Sequence, residues 1–475
     1  MPAIKKRPLP KAPAFAKMIG PSFIFLGLGL GSGELIVWPY LISNYGMGII
    51  WAALLGLTLQ FFMNMEIERY ALVKGESIFV GYWRKAKWLP LWFLLSTFVP
   101  WLWPGLVMTS ARVTGIMFNV SSFDTVIAMG MLVLIGVILS LGESVYKTVE
   151  GFQKKLIFIR VPFVFALSLL FLKLTSLVDF SKGLAGFGDG YWLLPTEPSG
   201  GLLPSFSIPL ATFLAGLAYS GAGGNLNLSQ SFYIRDKGYG MGKYAERISS
   251  LFASKKPKNL KLTGTTFPSS QAELNKFNRW WKVINLEHAT VFWAMGTVTI
   301  VMLCLLAYNT LYGREGIGQD LDFLVLQADV IKGQFGGIIS WTFLLAVATT
   351  LFATQLTVFD ATSRIMAENL SLLSPKMFPS RGLSMYYYAF LWLMIVAGIG
   401  VLAIGFNQPL TLIILAASLN AVAMFVHSGL TLWVNKTLLW EKVQPNAFRS
   451  FALGFACLFF GLFSLLTLLD QIGVL

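Results

Sequence analysis

Two short runs of glycine and small polar residues carry the chemistry of this chain: Gly31-Ser32-Gly33-Glu34, and Ser220-Gly221-Ala222-Gly223-Gly224-Asn225-Leu226-Asn227. Gly31, Ser32 and Gly33 permit backbone conformations closed to bulkier residues, so the chain can leave a helix there and turn amides or carbonyls inward. Past such a break, the free N–H groups and positive dipole end of a new half-helix favour a carboxylate, while the free carbonyls of the half-helix before it favour a cation. Glu34 adds a carboxyl group suited to three tasks: hard ligand for a cation, counter-charge for an amine, or carrier of a proton. In the second run Asn225 and Asn227 offer donors and acceptors together, which suit a metal or an organic solute. With Tyr219, Ser220, Gly221 and Ala222 they complete a candidate substrate site.

Further polar residues are candidates for coupling or gating beside Glu34. Ser229 and Gln230 lie a turn beyond the second run. Gln355, Thr357 and Asp360 fall along one apolar stretch, where Asp360 and Arg364 are spaced i,i+4, the spacing of a structural ion pair. Asn420 and His427 share another. A lone histidine on an apolar helix reads first as a packed side chain and second as a proton relay.

The elements that must position these residues are membrane helices. The 475 residues are 56% hydrophobic and 12% charged, with a mean hydropathy of +0.68, too apolar for a soluble domain. Apolar runs of about 20 residues predict eleven helices, near 18–44, 46–65, 88–111, 122–142, 155–178, 203–233, 284–308, 335–364, 385–405, 408–434 and 450–470. Both glycine runs interrupt such helices, the first and the sixth. Irregular backbone at membrane depth survives only where protein or a polar cavity surrounds it, and paired broken helices point to a transport site near the midplane. An offset of five helices inverts the orientation of equivalent units. The chain therefore reads as an all-α polytopic membrane protein with a five-plus-five inverted repeat and an additional helix 11.

The net charge of +14 suggests a nucleic-acid partner until the basic residues are placed on this map: of 36, thirty fall on one side, five on the other, and Arg160 lies within helix 5. The bias makes the N-terminus cytoplasmic and the C-terminus external, in a plasma or inner membrane, with lipid rather than nucleic acid as the partner. The expected parts are a basic N-terminus (1–17), a first repeat (18–178), a second repeat (203–434) with a cytoplasmic insertion (234–283), and helix 11 (450–470). Within the insertion, 271–281 reads as a short interfacial helix with Trp280 and Trp281 as anchors. The outer segment 311–332 reads as a solvated loop, and Trp101-Leu102-Trp103-Pro104 as packing with a kink. The long first apolar run reads as a retained span rather than a signal peptide. Only Cys304 and Cys457 occur, both within predicted helices, which excludes a disulfide framework. Two histidines make a membrane enzyme improbable, nothing resembles a channel filter, and no phosphate-binding Gly-Lys-Ser/Thr loop is present.

At these residues the chain resembles the Nramp family of proton-coupled divalent-metal transporters, within the amino acid–polyamine–organocation superfamily. Gly20-Pro21-Ser22-Phe23 resembles that family's Gly-Pro-Gly-Phe, and Glu68-Arg69-Tyr70-Ala71-Leu72-Val73-Lys74-Gly75-Glu76-Ser77 its segment after helix 2. Gly151-Phe152-Gln153-Lys154-Lys155-Leu156 and Gln355-Leu356-Thr357 have counterparts as well. The resemblance covers helices 1 to 8 and implies a LeuT-type fold with broken helices 1 and 6. The metal site departs from the family pattern. Its Asp-Pro-Gly-Asn aligns with Gly31-Ser32-Gly33-Glu34, its Met-Pro-His-Asn with Ala222-Gly223-Gly224-Asn225, and a later His with Ser229. For a metal cargo the aligned ligands are Glu34, Asn225, Gly31 and Ala222, and loss of the thioether turns the preference towards hard ions. Gly-Ser-Gly in helix 1 and Ala218-Tyr219-Ser220-Gly221 in helix 6 also resemble amino-acid carriers of the same superfamily.

The expectation is a secondary carrier working by alternating access, monomeric and without a resident cofactor. A divalent cation ranks first as cargo, with H+ or Na+ as coupling ion. An amino acid or other small carboxylate solute ranks second, and a non-transporting sensor on a carrier fold third.

Overall fold

The computed structural model describes residues 5–13, 21–29, 31, 33–141, 145–188, 208–245, 261–314, 317 and 320–473. Among these, nine helices are long and apolar enough to cross a membrane, and a tenth forms if Val149–Phe171 and Leu174–Leu184, bent by 110°, are taken as one. The remaining apolar segment is helix 6, divided into Leu210–Tyr219, a 3-10 stretch Gly224–Ser229, and Gln230–Lys237. Neither α-helical half is long enough to span alone. With spans of this length and hydropathy, the chain is an integral membrane protein.

Helix 1 runs over Pro21–Gly29, breaks, and resumes as a π-helical turn Gly33–Val37 leading into Trp38–Tyr45. Helix 2 covers Met47–Lys74 and helix 4 Ser121–Leu141. Helix 3 is split into Leu89–Trp101 and Gly105–Phe118 at the residues before and including Pro104, which cannot donate to the helical ladder. Helix 5 is Val145–Phe171, helix 8 Gly337–Leu373 and helix 10 Pro409–Leu438. Helix 9 spans Ser380–Ala403. Helix 8 packs against helices 1, 3, 5 and 9. Helix 11, Ala447–Gln471, packs on helix 10 and stands outside the repeat.

Three local expectations are corrected. Residues 271–281 are not a separate interfacial helix. Gln271–His288 continues through a π-helical turn, Ala289–Ala294, into Met295–Leu311, forming one helix 7 whose first turn is capped by Ser270 accepting from the Glu273 amide. The outer segment 311–332 is not simply a solvated loop, because Asp322–Phe335 is a helix that buries Phe323, Leu324, Gln327, Ala328 and Ile331 against the bundle. Helix 2 runs nine residues past its expected end at 65, to Lys74. That extension is polar in sequence but internally paired: Arg69 Nε donates to Glu66 at 2.6 Å, so a run too charged for a lipid-facing helix is stable within protein.

Candidate functional site

The two breaks meet. A Cβ built on Gly33 would sit 1.7 Å from the carbonyl oxygen of Tyr219, the last residue of the first half of helix 6. One built on Gly29 would sit 3.3 Å from Gly221 Cα. Gly31 faces helix 8, where a Cβ would come within 2.3 Å of Thr354 Oγ1. Across the seam Gly223 and Gly224 have φ of 76° and 56°, the left-handed region that glycine adopts without strain. Gly224 is further pressed by Asn420, whose Oδ1 would be 1.9 Å from its Cβ. Ser32, expected among the binding residues, lies outside the described residues.

Glu34 is 1% exposed and turns towards helix 7. Its Oε2 accepts a hydrogen bond of 2.5 Å from Thr299 Oγ1. Its Oε1 lies against glycines of two helices, 3.5 Å from where a Cβ would stand on Gly29 and 3.6 Å from one on Gly296. Thr299 also lines a cavity of about 20 Å³, room for roughly one water, together with Leu35, Arg160, Val161, Val164, Leu303 and Thr350.

The residues of helix 6 serve mostly to shape the break. Tyr219 stacks on Trp101 and its hydroxyl accepts from Asn420 Nδ2 at 3.1 Å. Ser220 Oγ accepts from Trp38 Nε1 and donates to the Gly216 carbonyl, both at 2.9 Å. Ala222 is buried at the bend. Asn225 donates to Ser96 and Thr97 of helix 3 at 2.8 and 3.0 Å, while its Oδ1 is buried without a partner. Asn227 is buried with neither polar atom of its side chain bonded. Of the set aligned for a metal, Glu34 is bonded to helix 7, and Asn225 is tied to helix 3 through Nδ2, which leaves its Oδ1 free. Among the described residues no three His, Cys, Asp or Glu side chains converge as a metal site.

The coupling and gating candidates also separate. Ser229 Oγ donates to the Leu226 carbonyl at 2.6 Å, and Gln230 donates to Glu68. Gln355 is buried within helix 8, and Thr357 Oγ1 accepts from Gln153 of helix 5 at 2.7 Å. Asp360 accepts from Arg364 Nε at 2.7 Å and from the Tyr387 hydroxyl at 3.0 Å, and Arg364 reaches Asp236 of helix 6 at 2.6 Å. His427 Nε2 lies 3.0 Å from the Gly224 carbonyl, fastening helix 10 to the break.

Sequence reasoning passed over Gln60, which holds the second break open. Its Nε2 donates to the Ala218 carbonyl at 3.0 Å and its Oε1 accepts from the Gly223 amide at 3.0 Å, serving a carbonyl and an N–H that the broken helix leaves free. A lone amide in the apolar run Leu59-Gln60-Phe61 was the available signal. Glu68 was passed over as a polar residue as well. It is buried between Gln230 and His288, whose Nδ1 is 3.5 Å away.

No family model matches the sequence, and no curated protein does. Solved structures do. Two variants of the manganese transporter of Eremococcus coleocola align over 99% of this chain and 91% and 90% of their own, with TM-scores of 0.69 and 0.70 at 12% identity. Mhp1, a nucleobase-cation-symport-1 family transporter, aligns over 98% of this chain and 94% of its own, with a TM-score of 0.54 at 12% identity. At that identity the likeness establishes architecture: the chain has the LeuT fold, with its two broken helices in contact at the centre.

Proposed function

We propose that this chain is a secondary carrier that works by alternating access about helices 1 and 6. The observation that carries this reading is the contact of Gly29 and Gly33 with Gly221 and Tyr219, beside one buried carboxyl group, Glu34. Close glycine contacts let two half-helices slide or separate without dragging side chains through each other, and an ionisable group at membrane depth is functional by default. The thirty basic residues that the sequence map puts on one side support a cytoplasmic N-terminus.

Of the two cargo classes, the site favours a small solute with a carboxylate and a cationic group over a bare divalent ion. Glu34 offers a single carboxylate bonded to a hydroxyl, and Asn225 adds one free amide oxygen, a donor set with little negative charge for a bare divalent ion. The divalent-cation reading rests on the resemblance of helices 1 to 8 and comes second. Uptake of glycine, alanine, Mn²⁺ and Mg²⁺ into proteoliposomes under an imposed H+ or Na+ gradient decides between them. Amino-acid uptake without metal flux is expected. Metal flux without amino-acid uptake reverses the ranking, and ligand binding by silent liposomes points to a sensor.

A further inference from the structure

We propose that Glu68 is a second proton-carrying site in series with Glu34, reached from the breaks along a buried polar seam between helices 2 and 6. Its part in transport rests on the carrier reading above; the existence of the proton site does not. Glu68 is buried on helix 2. Its Oε1 accepts from Gln230, whereas Oε2 is buried without a partner. His288 Nδ1 lies 3.5 Å from Oε1, but that nitrogen is engaged by Ser22 Oγ at 2.8 Å, and Ser22 donates onward to Glu287. The other charged or titratable groups facing Glu68 are Glu287, Tyr239 and Arg449, and Arg449 is bonded to Glu66 and Asn285. Among the described residues no cation is bonded to Glu68, and a buried carboxylate in that position is far costlier than a carboxylic acid. Glu68 holds a proton.

A polar seam joins this group to the breaks. Gln60, Asn64 and Glu68 are spaced i,i+4,i+8 and share one face of helix 2. Gln60 bonds to Gly223 and Glu68 to Gln230, so helix 6 runs beside that face in the same direction. Asn227 lies three residues before Gln230 in a 3-10 stretch, where residues i and i+3 eclipse, and so on the side turned to helix 2. Asn64 and Asn227 therefore stand at one level, both buried, and neither polar atom of either side chain is bonded. Buried amides in that condition are places for ordered water, and a line of water and amides passes protons. At the far end, a Cβ on Gly221 would stand 2.7 Å from Gln60 Oε1, and one on Gly29 would stand 3.3 Å from Gly221 Cα and 3.5 Å from Glu34 Oε1. Glu34 and Glu68 are thus the two ends of one polar line. Around Glu68 the first half of helix 1, through Ser22, and the last half of helix 6, through Gln230, meet helices 2 and 7, so loss of the proton is felt by the parts that alternating access moves.

The test uses the full chain in proteoliposomes, with whichever of glycine, alanine, Mn²⁺ and Mg²⁺ the wild type takes up. Glutamine is neutral and shaped like a protonated glutamate. Glu68→Gln is therefore expected to lose accumulation driven by an imposed H+ gradient, to keep exchange of labelled for unlabelled cargo, and to melt no lower than wild type. Asn64→Leu, which interrupts the seam, slows H+-driven accumulation and likewise keeps exchange. Wild-type accumulation by Glu68→Gln overturns the site, as does a wild type whose accumulation answers to Na+ alone. Loss of exchange together with accumulation, in a protein that melts like wild type, overturns the coupling role. A Glu68→Gln protein that melts well below wild type overturns the site too, since Glu68 is then a charge that something balances. Asn64→Leu with wild-type accumulation overturns the seam as the route. A wild type that moves none of the four solutes ends the carrier reading, and infrared spectra of the protein in lipid then decide the proton site alone. A protonated-carboxyl band kept by Glu34→Gln and missing from Glu68→Gln supports it, and the lack of such a band overturns it.

Discussion

Gly33 lies against the main-chain carbonyl of Tyr219: no side chain fits between the start of one broken half-helix and the carbonyl that ends the other. The contact grades the neighbouring glycines. A methyl group on Gly33 meets backbone at 1.7 Å and cannot be relieved by a rotamer change, whereas on Gly29 the nearest backbone atom is at 3.3 Å. Gly33→Ala is expected to abolish uptake and lower stability by more than the ~1–3 kcal/mol usual for overpacking. Gly29→Ala keeps measurable uptake. Equal activity of the two variants in proteoliposomes contradicts the seam.

Glu34 and Thr299 are coupled by a 2.5 Å hydrogen bond between helices 1 and 7. Glu34→Gln keeps the shape and removes the ionisable group, so uptake is expected to fall at least tenfold and to lose its dependence on pH. Thr299→Val leaves a buried carboxyl oxygen without its donor, a loss of about 1–3 kcal/mol. It lowers uptake while retaining the pH dependence. A Glu34→Gln carrier with a wild-type pH profile removes this residue from the mechanism.

Much of this arrangement was legible in the sequence, and what was missed has a common cause. Gly31, Gly33, Gly223 and Gly224 announced the breaks because glycine and asparagine interrupting a long apolar run have few other physical readings. Glu34 stood out for the cost of a carboxylate at that depth. The partners did not stand out, because partnership is a tertiary fact: nothing in the spacing of Glu34 and Asn225 says that one is drawn to Thr299 and the other to Ser96. The polar end of helix 2 and the start of helix 7 were misjudged for the same reason. Hydropathy treats Glu66, Arg69 and Glu287 as facing lipid or water, whereas neighbouring helices bury them.

Gln60 occupies a position where an apolar residue would pack equally well in volume, so its replacement isolates the hydrogen bonds. Gln60→Leu leaves the Ala218 carbonyl and the Gly223 amide without their partner in a buried setting. About 1–3 kcal/mol is lost for each unsatisfied group. Gln60→Glu restores an acceptor for Gly223 but offers the Ala218 carbonyl no donor when ionised, so it is expected to fall between Leu and wild type at acidic pH and nearer Leu at alkaline pH. Thermal unfolding across pH checks the order; a Gln60→Leu protein as stable and active as wild type shows that the break holds itself open.

Arg364 stands between two carboxylates, Asp360 on its own helix and Asp236 at the end of helix 6, and Arg235 stands between Asp236 and Glu368. All five side chains are buried, so the group holds together only while its charges alternate. Removing Arg364 leaves two carboxylates facing one another. Arg364→Met is therefore expected to lower stability by about 3–5 kcal/mol. Asp360→Asn keeps an acceptor for the Tyr387 hydroxyl, leaves Arg364 its bond to Asp236, and costs less. The double variant recovers part of the loss of Arg364→Met, because one of the two opposed carboxylates is then neutral. That non-additivity, read from unfolding of the single and double variants, separates a charge network from a set of independent contacts: strictly additive losses mean that Asp360 and Arg364 contribute separately despite their 2.7 Å approach.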